Sequence, residues 1–171
     1  MKLRYLSIVA AVALVAACES APKNQGTQAA ASQPQAQAQQ APQQAPSVAP
    51  GSQADFVANV GDRVFFDTDS TELTATAQAT LDKQATWLQQ YGRYNFVVEG
   101  HADERGTREY NFALGARRAE RVKEYLIARG ISAERIRTIS YGKERPVAVC
   151  NDISCWSQNR RVVTDLNGGQ S

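Results

Sequence analysis

The chain has 171 residues, 43% hydrophobic and 21% charged, which is enough for one folded domain with a sizeable core. Its 19 basic and 17 acidic residues give a net charge of +2 at pH 7. Lys2 and Arg4 lie in the N-terminal segment, so residues 18–171 carry 17 charges of each sign. This balance excludes the net basic character of most nucleic-acid-binding domains, and we expect no nucleic-acid partner.

Residues 1–17 have the pattern of a signal peptide. Lys2 and Arg4 precede an apolar run from about Leu6 to Val15, which is too short to span a bilayer as a helix. The run therefore predicts export from the cytoplasm.

The sequence Val15-Ala16-Ala17-Cys18 resembles the lipobox of bacterial lipoprotein precursors. It predicts cleavage before Cys18 and lipid modification of that cysteine, whose acyl chains would give stable membrane attachment. An Asp after such a cysteine commonly signals inner-membrane retention, so Glu19 favours the outer membrane. The alternative is an ordinary secretory signal with an incidental cysteine.

Residues 18–54 are dominated by Ala, Gln, Pro and Ser, and they contain too few large apolar residues to build a core. We interpret this segment as a lipidated N-terminus followed by a disordered linker. A flexible chain of this length spans roughly 30 to 35 Å, which suits a tether.

Residues 55–171 form the predicted folded domain. Along these residues, the spacing of apolar positions changes several times between the pattern typical of strands and the pattern typical of helices. Strands are predicted at 63–66, 94–99, 136–141 and 160–166, and helices at 73–90 and 107–129. This order predicts an α/β (α+β) sandwich: a mixed sheet of about four strands, with two main helices packed on one face.

A loop rich in ionisable residues, Gly100-His101-Ala102-Asp103-Glu104-Arg105-Gly106-Thr107, joins the second predicted strand to the second helix. Ligands commonly bind in loops at this position. On the helix, Arg118 shares a face with Asn111 and Leu114, so it points toward the buried side near this loop. A semi-buried guanidinium needs an anionic partner.

Two explanations of Arg118 are open. It could form an internal ion pair with Asp103 or Glu99. Alternatively, Asp103 and Arg118 could bind a ligand that carries an ammonium and a carboxylate on one carbon, as the amino-acid-like ends of peptidoglycan stem peptides do.

Several motifs resemble the OmpA-like peptidoglycan-binding domain over about residues 60–166. They include the loop beginning at Gly100, Tyr141-Gly142-Lys143-Glu144-Arg145-Pro146 and Asn159-Arg160-Arg161. The resemblance implies noncovalent, non-enzymatic binding to the meso-diaminopimelate of the stem peptide, without a cofactor. The one-domain lipoprotein layout resembles the family's lipoprotein branch, which implies a tether between outer membrane and cell wall in the Tol-Pal system, with roles in envelope integrity and cell division.

The resemblance also implies site residues. Asp103 matches the acceptor for the ligand ammonium and Arg118 the donor to its carboxylate, while Asn111 and Arg161 match supporting positions. The whole implied peptidoglycan-binding set is Phe66, Asp67, Thr68, Asp69, Gly100, His101, Ala102, Asp103, Gly106, Asn111, Leu114, Arg118 and Arg161. We expect Asp103→Ala or Arg118→Ala to abolish binding to sacculi while leaving the fold near normal.

The resemblance further implies the periplasmic protein TolB and other Tol proteins as partners. TolB would engage much the same surface as the wall, including the loop after Phe66 and the loop around Asp103. Wall binding and TolB binding would then exclude each other. A domain whose essential partner is only another protein is the competing class.

Cys150 and Cys155 are five residues apart in a chain that we expect to be exported, so we predict a disulfide bond. A redox-active pair is the alternative. His101 is the single histidine, too few for a zinc site, and either a structural or a ligand-contact role is open. Asp67 and Asp69 could suggest a glycan hydrolase, but two carboxylates in a turn more often cap the backbone or accept hydrogen bonds from a ligand. We therefore expect no enzyme activity.

Overall fold

The computed structural model describes residues 48–168. The predicted signal peptide 1–17, Cys18 and most of the linker lie outside the described residues, as do the last three residues. Within residues 48–168, none of the helices combines the length and the apolar character needed to cross a membrane.

Four strands and two long helices follow one another in the predicted order. The strands are β1 (Arg63–Phe65), β2 (Phe96–His101), β3 (Ile136–Gly142) and β4 (Arg161–Asp165). The long helices are α2 (Ala75–Gln90) and α3 (Arg108–Ala128). Shorter helical segments are α1 (Gln53–Asp55), a π-helical turn (Phe56–Val60), a 3-10 turn (Ala133–Arg135) and α4 (Ile153–Asn159).

The four strands form one mixed sheet in the order β1-β4-β2-β3. β2 and β3 are parallel, whereas β4 is antiparallel to both β1 and β2. The predicted α/β sandwich with a mixed sheet is therefore confirmed. In a parallel pair the connecting chain must cross over the sheet, and α3 makes this crossover between β2 and β3.

Helices α2 and α3 pack on one face of the sheet. Side chains alternate between the two faces of a strand, so Val98 of β2 and Val162 of β4 point toward the helices. They meet helix residues spaced by three, four and seven positions, including Leu81, Leu88 and Val122, all fully buried. This apolar layer holds the start of α3 at the end of β2.

Helix α3 lies close to β2 because two glycines face each other. A Cβ atom on Gly100 would come 1.9 Å from the carbonyl oxygen of Gly115. Thr107 begins the helix, since its Oγ1 accepts a hydrogen bond of 3.2 Å from the amide of Tyr110. The loop 102–107 is therefore held between two fixed ends.

Gly51, within the segment that the sequence analysis assigned to the linker, makes hydrogen bonds to the folded domain. The carbonyl oxygen of Gly51 accepts a hydrogen bond of 2.8 Å from the Tyr94 hydroxyl. The carboxylate of Asp55 accepts from the Gly51 amide at 2.8 Å and from the Trp87 indole at 2.9 Å. Composition alone did not reveal the contacts of Gly51 with Tyr94 and of Asp55 with Trp87, because they join residues 43 and 32 positions apart in the chain.

Candidate binding site

A cavity of about 300 Å³ lies at the carboxyl ends of β1 and β2, beside the first turns of α3. Three guanidinium groups and two carboxylates contribute to its wall. The lining residues are Thr68, Asp69, Asp103, Arg105, Gly106, Tyr110, Asn111, Leu114, Arg118 and Arg160. The mixture of charges suits a small ligand that itself carries both signs.

Arg118 is fully buried, and its guanidinium donates to three backbone carbonyls. Nε donates to Ser70 at 2.8 Å, Nη1 to His101 at 2.9 Å and Nη2 to Asp67 at 3.0 Å. Burial, and next the charge of Arg160, lower the pKa of Arg118 to about 10, so the group remains protonated at neutral pH. Arg118 therefore both fixes the loop after β1 and places a positive charge in the cavity wall.

The side chain of Asp103 is nearly buried and pairs with two other arginines. Its Oδ2 accepts from Arg105 Nη2 at 2.7 Å and from Arg160 Nη1 at 3.3 Å. Burial raises the pKa of Asp103, but the hydrogen bonds from Arg105 and Arg160 outweigh it and hold the pKa below its ordinary value. Asp103 is thus ionised at neutral pH.

An internal ion pair of Arg118 with Asp103 or Glu99, one of the two explanations that the sequence left open, is not among the salt bridges of residues 48–168. Arg118 and Asp103 instead line one cavity with different partners. The structure therefore keeps the ligand-binding explanation open and removes the internal ion pair as the reason for burying Arg118.

The remaining wall comes from the loop after β1 and the first turns of α3. The Tyr110 hydroxyl donates to the carboxylate of Asp69, which has a positive φ of 54°. The Asn111 amide donates to the carbonyl of Arg105 at 2.6 Å and so fixes the loop 102–107. Leu114 adds an apolar side chain to the wall.

Seven residues of the implied set line the cavity, namely Thr68, Asp69, Asp103, Gly106, Asn111, Leu114 and Arg118. Others support it from behind. Phe66 is buried, with its ring centroid 5.1 Å from the Arg118 guanidinium carbon. Asp67 is exposed and contributes its carbonyl, and the amide of buried Ala102 donates to Gly142 at 2.8 Å. Gly100 serves the close packing of α3.

Arg160, which the sequence analysis left out, lies at the cavity, whereas Arg161 does not line it. Side chains along a strand point alternately to its two faces, which explains the difference. Arg160 is two positions from Val162 and shares its face, whereas Arg161 points to the opposite face. Arg160 donates from Nε to the Phe66 carbonyl at 3.0 Å. The strand period could have identified Arg160 from the sequence.

His101 lies on the sheet face that the helices leave open, as Arg161 does. It is 2% exposed, and neither ring nitrogen has a hydrogen-bond partner among residues 48–168. Burial, and then the charges of Arg161, Arg145 and Arg63, lower the pKa of His101 to about 3. The neutral imidazole does not line the cavity, and the residue reaches the cavity wall through its carbonyl, which accepts from Arg118.

Cys150 and Cys155 form a disulfide bond in the structure, with their Cα atoms 5.7 Å apart. The bond closes the loop that leads into α4. Helix α4 carries Trp156, whose ring centroid lies 4.1 Å from the guanidinium carbon of Arg105, and it ends just before Arg160. The disulfide therefore supports the side of the cavity that supplies Arg160.

Fold and cavity together define a binding domain of the α/β sandwich class. Comparisons with known proteins extend this result. The model of the OmpA family matches residues 65–160. A peptidoglycan-associated lipoprotein from Rhizobium meliloti is 69% identical over 122 residues, covering 71% of this chain and 69% of the relative.

A peptidoglycan-associated lipoprotein from Mesorhizobium japonicum is 66% identical over 122 residues, 71% of this chain and 73% of the relative. The crystal structure of the peptidoglycan-associated lipoprotein from Burkholderia pseudomallei matches with a TM-score of 0.61 and 37% identity, covering 64% of this chain and 94% of that chain. The chain therefore belongs to the OmpA family, in the group of relatives named peptidoglycan-associated lipoproteins. These comparisons support the prediction that it is not an enzyme.

Proposed function

We propose that the chain is an outer-membrane lipoprotein, anchored through lipid on Cys18, whose domain binds peptidoglycan noncovalently in the periplasm. The domain would thereby tether the outer membrane to the cell wall. The single observation that supports this most is the cavity in which Asp103 and Arg118 present opposite charges without pairing with each other. The names of the relatives, peptidoglycan-associated lipoproteins, agree with it.

The proposed ligand group is the meso-diaminopimelate of the stem peptide. Its free end carries an ammonium and a carboxylate on one carbon, which matches an acidic acceptor beside a forked donor. Asp103 would accept from the ammonium. Arg118 uses three of its five N–H groups on carbonyls, so two remain for a carboxylate.

Binding to purified sacculi tests the proposal. We expect Asp103→Asn to lose most of the bound fraction, while Asp82→Asn, on the surface of α2 and paired with Arg129 at 2.7 Å, keeps it. Circular dichroism of each variant reports whether the fold is kept. Full binding by a folded Asp103→Asn variant would remove the assignment of this cavity.

We further propose that the protein acts in the Tol-Pal system, in envelope integrity and cell division, and that TolB binds over the same cavity. This part rests on the family, and on the fact that the loop after β1 and the loop 102–107 both line one cavity. Soluble muropeptide should then compete with TolB for the purified protein. A ternary complex of protein, TolB and muropeptide would contradict the shared surface.

A further inference from the structure

Arg105 is paired with the carboxylate of Asp103, which the ammonium of the proposed ligand must reach. Its Nη2 donates to Asp103 Oδ2 at 2.7 Å and its Nε donates to Oδ1 at 3.1 Å. The amide of Arg105 adds a third hydrogen bond to Oδ1 at 3.2 Å. The acidic acceptor of the cavity is therefore already paired, and an incoming ammonium has to compete for it.

The two arginines on Asp103 are held very differently. The side chain of Arg160 is 7% exposed, and its Nε is fixed to the Phe66 carbonyl at 3.0 Å. The side chain of Arg105 is 41% exposed, and its guanidinium carbon lies 4.1 Å from the ring centroid of Trp156. Moving Arg160 would leave a buried carbonyl unpaired, whereas Arg105 can turn into water at little cost.

The charges of the cavity also favour the departure of Arg105. Its wall holds three guanidinium groups and two carboxylates before any ligand enters. A ligand ammonium placed on Asp103 would become the third cation around a single carboxylate. Like charges at contact distance repel strongly in a partly buried site, so the most exposed cation is the one that leaves.

We propose that Arg105 is an exchangeable counter-ion of the binding cavity, which the ammonium of the ligand displaces from Asp103. The inference rests on the proposed function. In the empty cavity Arg105 neutralises Asp103 and covers one face of Trp156. When a cationic ligand binds, the Arg105 side chain moves away from both Asp103 and Trp156. A ligand without a cation cannot displace it.

This exchange sets specificity as well as affinity. Breaking the ion pair between Arg105 and Asp103 costs the same free energy for every ligand. Only a ligand with its own ammonium replaces the lost interaction with Asp103. Arg105 thus selects against neutral and purely anionic ligands that the cavity would otherwise admit. It also links occupancy to the surroundings of Trp156 on α4, which gives the exchange a spectroscopic signal.

The test is a titration of the purified full chain with a soluble muropeptide whose stem peptide contains meso-diaminopimelate. Calorimetry gives the affinity, and tryptophan emission reports on Trp156. We expect Arg105→Gln to bind about three- to tenfold more tightly than the unaltered protein, since the ammonium no longer competes. The matched control is Arg108→Gln, whose side chain pairs with exposed Glu144 at 3.1 Å outside the cavity and which should bind normally.

The tryptophan emission of the unaltered protein should change on binding. Trp156→Phe should abolish that change, because the remaining Trp87 lies in the core and its surroundings do not change on binding. The same muropeptide with its diaminopimelate amine acetylated should neither bind nor alter the emission. If the unaltered protein does not bind the muropeptide, the proposed function fails and this inference fails with it. If it binds but Arg105→Gln binds equally or more weakly, or the emission is unchanged, only the exchange is overturned.

Discussion

The backbone of Gly100 in β2 lies directly against the backbone of Gly115 in α3. A methyl group at Gly100 would come 1.9 Å from the Gly115 carbonyl oxygen, a distance that no side-chain rotation relieves. The contact fixes how deeply α3 sits on the sheet. It therefore sets the positions of Asn111, Leu114 and Arg118, which project from the same helix into the cavity wall.

We predict that Gly100→Ala destabilises the protein by about 3 kcal/mol or more, because α3 must move away from β2. The free energy of unfolding from urea denaturation measures this effect. Gly92→Ala is the matched control, since a Cβ there meets nothing within 4 Å, and its change should stay within about 0.5 kcal/mol. Equal stability of the two variants would show that the glycine contact does not position α3.

Substitution of Arg118 should destabilise the fold, which revises the expectation from the sequence that Arg118→Ala leaves the fold near normal. The variant would leave the carbonyls of Ser70, His101 and Asp67 without their donor. We expect a loss of about 3 kcal/mol or more in the free energy of unfolding. Arg117→Ala, at the exposed neighbouring position, should change stability by less than about 0.5 kcal/mol.

The stability of the protein should depend on His101 in mild acid. Burial, and then nearby arginines, lower the pKa of His101 to about 3, so the folded state keeps the ring neutral. The unfolded chain binds a proton below its ordinary pKa of 6.5, and stability therefore falls as the pH drops through that value.

Between pH 7 and pH 5 this group should cost the unaltered protein about 2 kcal/mol of unfolding free energy. His101→Asn should lack this part of the pH dependence, as urea denaturation at the two pH values would show. An equal slope in both proteins would mean that His101 becomes protonated without unfolding.

The disulfide bond should contribute modestly to the free energy of unfolding. It joins cysteines only five residues apart, and closing so short a loop stabilises the folded state by about 2 kcal/mol. Thermal denaturation with and without reductant, compared with Cys150→Ala/Cys155→Ala, checks this value. The double variant should melt at the same temperature in both conditions. Mass spectrometry of protein from the cell envelope that finds free thiols would contradict a structural bond.

Periodicity predicted the four strands and both long helices, because each buries one face in the core and so carries a regular apolar spacing. It did not predict α4, a helix of seven residues that begins inside the disulfide loop, nor the contacts of Gly51 with the folded domain. Both depend on distant partners, such as Tyr94 for Gly51. Composition and local pattern contain no information on such contacts.

Some of the residues that line the cavity were named from the sequence. The resemblance identified Asp103, Arg118 and the loop after Phe66, but it missed Arg105, Tyr110 and Arg160. Arg160 follows from strand alternation, which separates it from Arg161. Arg105 does not follow from any period, because only the folded loop shows that it turns back onto Asp103 two residues earlier.

The central claim is that the cavity recognises an ammonium and a carboxylate on one carbon. Calorimetric titration with two muropeptides that differ only in having meso-diaminopimelate or lysine in the stem peptide tests it, because the lysine side chain has the ammonium without the carboxylate. We predict binding of the diaminopimelate form, a loss of at least about tenfold in affinity for the lysine form, and no binding by a folded Asp103→Asn variant. Equal affinity of the unaltered protein for both muropeptides would contradict the account.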